Sequence, residues 1–319
     1  MASSERPLDD ADEAPRRRTL QVDGRTAAYD VAGEGLPVVF LHGWGLGHRA
    51  YRHSLARLVD LGCRVWAPSL PGFGGSAPLA GRDAGLPEYA DWVASFLDAA
   101  GVDEPVFLIG HSFGGGVAIA TAHRHPERVR SLVLVNSIGG AAWKEAADGL
   151  DTTPGRTLAE RPLWDWGRHF TRDLFPLHLA RRVLPAVVPE ALGNLLRSPL
   201  PLWRAGMVAR DADLIAELET LKERQLPVVV LSGTRDGVIP RASFDALCRA
   251  IGAEGETVEG SHSWLLADPD AFGAVITNAV QVAAMARAAE QAPPPGPERW
   301  FHRVRARVRA ALHPEEIAA

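Results

Sequence analysis

Cysteine and lysine are scarce in this chain. Only Cys63 and Cys248 occur among 319 residues, so no disulfide framework braces the fold. Neither has the spacing of a metal site. Each falls in a segment that reads as buried and is expected to behave as a small hydrophobe. Lysine occurs only as Lys144 and Lys222, and nothing about function follows from that. No run reaches the roughly 18 apolar residues that a membrane span needs. The opening MASSERPLDDADEAPRRR lacks the apolar core of a secretory signal, so a cytoplasmic location is expected. A formal net charge of −5 lacks the basic excess of a general nucleic-acid binder, and no such partner is expected. No H-E-x-x-H stretch or Cys/His cluster occurs, so no metal or other cofactor is expected. No internal repeat is visible.

What is present is a globular composition, 46% hydrophobic and 23% charged. The length suits one large α/β domain or two smaller ones. Residues 1–17 are charged, contain proline, and are expected to be disordered. Segments 18–22 and 26–32 flank Asp23-Gly24, a hairpin signal. Short apolar runs at 37–41, 63–67, 106–109, 129–135 and 227–232 read as buried strands, with a further strand at 256–259. Between them, 49–61, 86–100, 115–120 and 241–251 read as helices, and a long helix is expected over 269–289. Such alternation means βαβ units: an α/β fold with a mostly parallel twisted sheet and helices on both faces. The alternation breaks from 137 to 221. That segment shows no strand-like run and holds four of the nine tryptophans. Pro176, Pro185, Pro189, Pro199 and Pro201 are expected to cut it into short helices. It reads as a helical insertion between two strands. The core is therefore expected over 18–136 and 222–290, the insertion over 137–221, and a Pro-rich linker with a last amphipathic helix over 291–319.

The chemistry gathers at strand ends. Val106–Ile109 turns sharply at Gly110-His111-Ser112-Phe113-Gly114 and continues as a small, apolar helix. A G-x-S-x-G match in that strand–corner–helix context exposes the serine hydroxyl at a strained turn. The helix start behind it favours negative charge. Ser112 needs a base, and the base needs an orienting group. His262, in Gly260-Ser261-His262-Ser263-Trp264, and Asp236, in Gly233-Thr234-Arg235-Asp236-Gly237, each follow a predicted strand. All three thus sit at the carboxyl ends of parallel strands, in the order Ser, Asp, His. Taken singly, Asp236-Gly237 reads equally as a turn and His262 as a loop residue; it is the joint placement that favours a triad. His111 points to the other side of the turn and reads as structural. His123 and His125 are two apart on a helix, a poor metal pair. For an oxyanion, the expected donors are the backbone N–H groups of Phe113 and of Trp44, in the Gly-rich loop His42–Gly45.

With these residues in place the chain resembles the α/β-hydrolase superfamily, and within it the capped serine carboxylesterases. His42-Gly43-Trp44, Pro71-Gly72-Phe73-Gly74, the Gly110–Gly114 elbow, Asp236 and His262 carry the resemblance, which covers about 18–289. It implies a serine esterase with a Ser112–His262–Asp236 triad. It also implies that the insertion is a cap roofing the site, with Trp143, Trp164, Trp166 and Trp203 as candidates for an apolar substrate pocket; the same tryptophans would equally pack cap onto core. Where the family often has Asp before the Pro-Gly loop, this chain has Ser69. Serine rather than aspartate at the elbow argues for an acyl-enzyme on a small ester substrate. The same triad also serves thioesters, carbon–carbon bonds or acyl transfer, and a weakly active or inactive ligand-binding protein is a further alternative. Over 298–312, Trp300, Phe301, Val304, Val308 and Leu312 share a face with arginines around them. Such a helix suits a membrane surface, a second subunit or its own domain, and the sequence leaves these open.

Overall fold

A computed structural model describes residues 16–81, 84–144, 156–174, 177–276 and 278–279. The chain opens with strands β1 (Arg16–Val22), β2 (Arg25–Ala32) and β3 (Leu36–Leu41), then helix α1 (Arg52–Asp60) and strand β4 (Cys63–Pro68). Helix α2 (Leu86–Ala99), strand β5 (Val106–His111), helix α3 (Phe113–Arg124) and strand β6 (Val129–Val135) follow. The eight-stranded sheet has the order β1-β2-β4-β3-β5-β6-β9-β10, where β9 is Val228–Gly233 and β10 is Glu256–Val258. β1 pairs antiparallel with β2, and β2 with β4; every other pairing is parallel. Asp23 and Gly24 both take positive φ, 49° and 72°, and close the expected hairpin.

The continuous apolar strands are explained by burial on both faces. In β3, Val39 and Leu41 join one core while Val38 and Phe40 join the other. In β5, Val106 and Leu108 divide from Phe107 and Ile109 in the same way. On one face lie α2, α3 and α8 (Arg241–Ile251), which supply Phe96, Val117 and Leu247. On the other lie α1, α9 (Trp264–Ala267) and a helix from 269 to 276, supplying Leu58, Leu265 and Phe272.

Between β6 and β9 the chain leaves the sheet. It forms the short antiparallel pair β7 (Ala142–Lys144) and β8 (Arg156–Thr157), then helices α4 (Leu163–Leu174), α5 (Leu177–Arg197), α6 (Pro199–Asp211) and α7 (Ile215–Glu223). Two expectations about the insertion are corrected here. The insertion contains strand structure, a ribbon too short to show as an apolar run. Pro185 and Pro189 lie inside the 21-residue α5 and do not end it; Pro199 instead opens α6, where its missing N–H has no helical partner to lose. Helix α7 packs its fully buried Leu218 and Leu221 into the same cluster as α3 and α8, as α6 does with Leu202, Ala205 and Ala209. At the amino end, β1 begins at Arg16, inside the stretch expected to be disordered, because Arg16 and Arg17 continue the ladder opposite Val31 and Asp30. The linker and basic helix expected over 291–319, with any contact through 298–312, lie outside the described residues. Among the described residues no helix is long and apolar enough to cross a membrane.

Candidate active site

Ser112 sits between β5 and α3 at φ 54° and ψ −116°. A non-glycine residue in that region stores roughly 1–3 kcal/mol of strain. Two glycines let the elbow close. A Cβ on Gly110 would lie 2.6 Å from Gly115 Cα, and one on Gly114 would lie 2.7 Å from the His42 carbonyl oxygen. The Ser112 N–H donates to the Val135 carbonyl at 3.0 Å, which pins the elbow to the end of β6.

Asp236 follows β9 and His262 follows β10. His262 Nδ1 lies 2.9 Å from Asp236 Oδ2, which assigns the proton to Nδ1 and leaves Nε2 as an acceptor. Four donors hold the carboxylate. Oδ2 also accepts from Asn136 Nδ2 at 2.5 Å, and Oδ1 accepts the N–H groups of Val238 and Ile239 at 2.8 and 2.9 Å. Burial pushes the Asp236 carboxyl up. The His262 charge and hydrogen bond, with Asn136 and Ile239, outweigh it and hold the carboxyl below the usual range. Burial likewise pushes His262 down, but the Asp236 charge and hydrogen bond, and then the Asp173 charge, hold it above the ordinary histidine value.

His111 and His42 are buried but committed elsewhere. His111 Nε2–H donates to the His262 carbonyl at 3.1 Å, and its Nδ1 accepts from Tyr51 Oη at 2.8 Å. Tyr51 Oη in turn accepts the Gly43 N–H at 3.0 Å. This chain of contacts ties the His42–Gly45 loop to the residue beside Ser112 and to the His262 loop. Burial drives His111 to about 3, so it stays neutral. His42 accepts the Leu70 N–H on Nε2 at 2.8 Å, and burial drives it to about 4. Ser69, where the family often has Asp, accepts the His48 N–H at 3.1 Å and lies 2.6 Å from His48 Nδ1.

Phe113 is the first residue of α3 and fully buried. Trp44 follows β3, and its indole Nε1 donates to the Leu202 carbonyl of α6 at 2.7 Å. The four insertion tryptophans separate. Trp166 is half-buried against the core, with the Arg161 guanidinium 5.5 Å from its ring. Trp143 is half-buried in β7. Trp164 and Trp203 are 69% and 55% exposed, so their indoles face solvent to a large extent. No group of three or more metal-ligating side chains occurs among the described residues.

Sequence reasoning passed over Asn136 and Asp173. Asn136 ends β6 at φ 48°, donates to Asp236 and accepts from the Trp264 indole at 2.8 Å. A polar residue closing a strand that is otherwise Val and Leu was the available signal. Asp173, in the last turn of α4, accepts the His262 N–H at 2.6 Å and the Ser263 hydroxyl at 2.5 Å.

A strained serine at a β-to-α elbow and a buried histidine–carboxylate pair, all at strand ends of one doubly covered parallel sheet, are the features of a hydrolase of the α/β class. The family model for the alpha/beta hydrolase fold matches residues 37–270, and the chain belongs to that family. It is similar to a 2-hydroxymuconate semialdehyde hydrolase from a Pseudomonas species, 34% identical over 235 residues that make up 70% of this chain and 78% of that protein. It is also similar to a pimeloyl-[acyl-carrier protein] methyl ester esterase from Aeromonas salmonicida, 29% identical over 76% of this chain and 95% of that protein. Among solved structures, the enol-lactonase from Burkholderia xenovorans shares the fold, with a TM-score of 0.64, 20% identity, and coverage of 83% of this chain and 100% of that one.

Proposed function

We propose that this hydrolase cleaves a carboxylic ester of a small, mainly apolar substrate through an acyl-enzyme on Ser112. The observation that carries it is the buried His262–Asp236 pair, whose His262 carbonyl bonds His111, the residue directly before a strained Ser112. Ser112 Oγ attacks the carbonyl carbon while His262 Nε2 takes its proton. Asp236 keeps the imidazole in the required tautomer and stabilises the imidazolium. The negative oxygen of the tetrahedral intermediate is received by the N–H groups of Trp44 and Phe113, each such donor being worth about 3 kcal/mol of barrier. His262 then protonates the leaving alcohol. A water, deprotonated by the same nitrogen, attacks the acyl carbon; the acid leaves and Ser112 recovers its proton. The sequence needs no cofactor. Helices α4–α6 act as the cap, and Trp166 of α4 with Trp143 of β7 are the better-placed pocket residues because they are half-buried.

Ser112→Ala is expected to abolish hydrolysis of a short p-nitrophenyl ester, by at least about 10³-fold, with circular dichroism unchanged. Retained activity would exclude Ser112 as nucleophile. The similarity to a semialdehyde hydrolase supports a second reading, in which the same groups cleave a carbon–carbon bond in a vinylogous diketone. Turnover of such a diketone faster than of any ester in an acyl-length series would favour it.

A further inference from the structure

The insertion does more than cover the strand ends. Arg161, Asp165, His169 and Asp173 follow one another at intervals of four, so they form one polar stripe on and just before α4. Arg161 is 1% exposed, an arginine that the fold has to satisfy internally. Its Nη1 and Nη2 donate to the carbonyls of Val238 and Gly237 at 2.7 and 2.8 Å, and its Nε to Asp165 at 2.7 Å. It thus grips the loop that carries Asp236. At the far end of the same helix, Asp173 grips the loop that carries His262.

Asp173 is badly placed for α4 itself. A carboxylate in the last turn opposes the helix dipole, whose carboxyl end is negative. It is nonetheless buried and accepts two short hydrogen bonds, both from residues 262 and 263. Neither bond supports α4; both serve the base loop.

We propose that Asp173 is a positioning residue for this reaction: from the insertion it holds the His262–Ser263 turn and sets a second negative charge beside the imidazole. This rests on the assignment of His262 as the base. Asp236 from the loop after β9 bonds that imidazole, the neutral His111 from the end of β5 lies with its ring centroid 4.9 Å from it, and the Asp173 carboxylate of α4 bonds the backbone N–H of the same residue. Of these, the two carboxylates stabilise the imidazolium that forms as Ser112 loses its proton. Seating the insertion therefore makes the base more basic.

Asp173→Asn keeps Oδ1 as the acceptor for the His262 N–H and removes the charge, while its Nδ2 donates to the Ser263 hydroxyl in place of accepting from it. Its kcat/KM pH profile is expected to have an acid limb about half a pH unit or more below that of the parent enzyme. Plateau kcat should fall several-fold, with KM changed less than about two-fold. Ser263→Ala removes one of the two donors that quench the Asp173 charge, so its limb should move the other way, to higher pH. If Asp173→Asn does not fold, the upward shift in Ser263→Ala alone decides the matter. Acid limbs that stay in place in the folded variants would overturn the proposal. Fluorophosphonate labelling separates this failure from a deeper one. Variants that label at Ser112 with unmoved limbs contradict only the role of Asp173, whereas an enzyme that does not label at Ser112 contradicts the assignment on which it rests.

Discussion

The side chain of Asn136 fixes Asp236 through Oδ2, while the backbone of Val238 and Ile239 fixes it through Oδ1. Removing it leaves a buried carboxylate one donor short and orphans the Trp264 indole, each a loss of about 1–3 kcal/mol. Asn136→Ala is therefore expected to lower the melting temperature and to reduce kcat/KM about ten-fold, measured by calorimetry and ester hydrolysis. The Asp236–His262 pair also has a pH signature. In the proposed mechanism His262 must be neutral to accept the Ser112 proton, and its pKa is raised, so activity is expected to fall as pH drops through a value above the ordinary 6.5. A kcat/KM profile with an acid limb below pH 6 would contradict the arrangement. Ser112, Asp236 and His262 were all legible in the sequence because each follows a strand that its apolar run announces. Asn136 and Asp173 were not. Both act through partners about 90 to 130 residues away, and no local pattern encodes such a pairing.

Helix α4 reaches the core through its polar stripe, with Arg161 at one end and Asp173 at the other. Arg161 is almost fully buried, so truncating it leaves Asp165 and two carbonyls without their partner. Arg161→Ala is expected to destabilise the fold by roughly 3 kcal/mol and to expose the insertion to limited proteolysis before the core. Wild-type resistance in that variant would show that α4 is held by other contacts. The stripe's interval of four stands plainly in the sequence, but the many exposed apolar residues nearby obscure it. Leu192, Leu195, Leu196 and Leu200 are all more than half exposed, so hydrophobic spacing in this region does not mark the buried face. The same region misleads over proline. Pro185 and Pro189 read as breaks, yet α5 carries both. By contrast, the strands of the sheet are read correctly because burial on both faces leaves them apolar at every position.

Across the molecule, three histidines are buried neutral. Burial drives His42 to about 4, and His48 and His111 to about 3. Their folded values lie below the unfolded one, so the stability they contribute is complete above about pH 6.5 and is lost as pH falls. Three such groups set an upper slope of about 4 kcal/mol per pH unit below that value. Asp30 and Glu190, which burial raises, and His262, which the Asp236 charge raises, pull the other way and reduce it. Denaturant melts at pH 7 and pH 5 should therefore differ by several kcal/mol, in favour of pH 7; equal stability would contradict the buried neutral state. The fold as a whole was accessible from sequence because βαβ alternation is a local pattern repeated along the chain. The insertion's seat on it depends on side chains that meet only after folding. The most direct test of the central claim is to treat the native enzyme with a fluorophosphonate and locate the adduct by peptide mass spectrometry. A single adduct on Ser112, lost in Ser112→Ala and strongly slowed in His262→Ala, is the expected result. An unlabelled enzyme, or labelling that survives both substitutions, would contradict it.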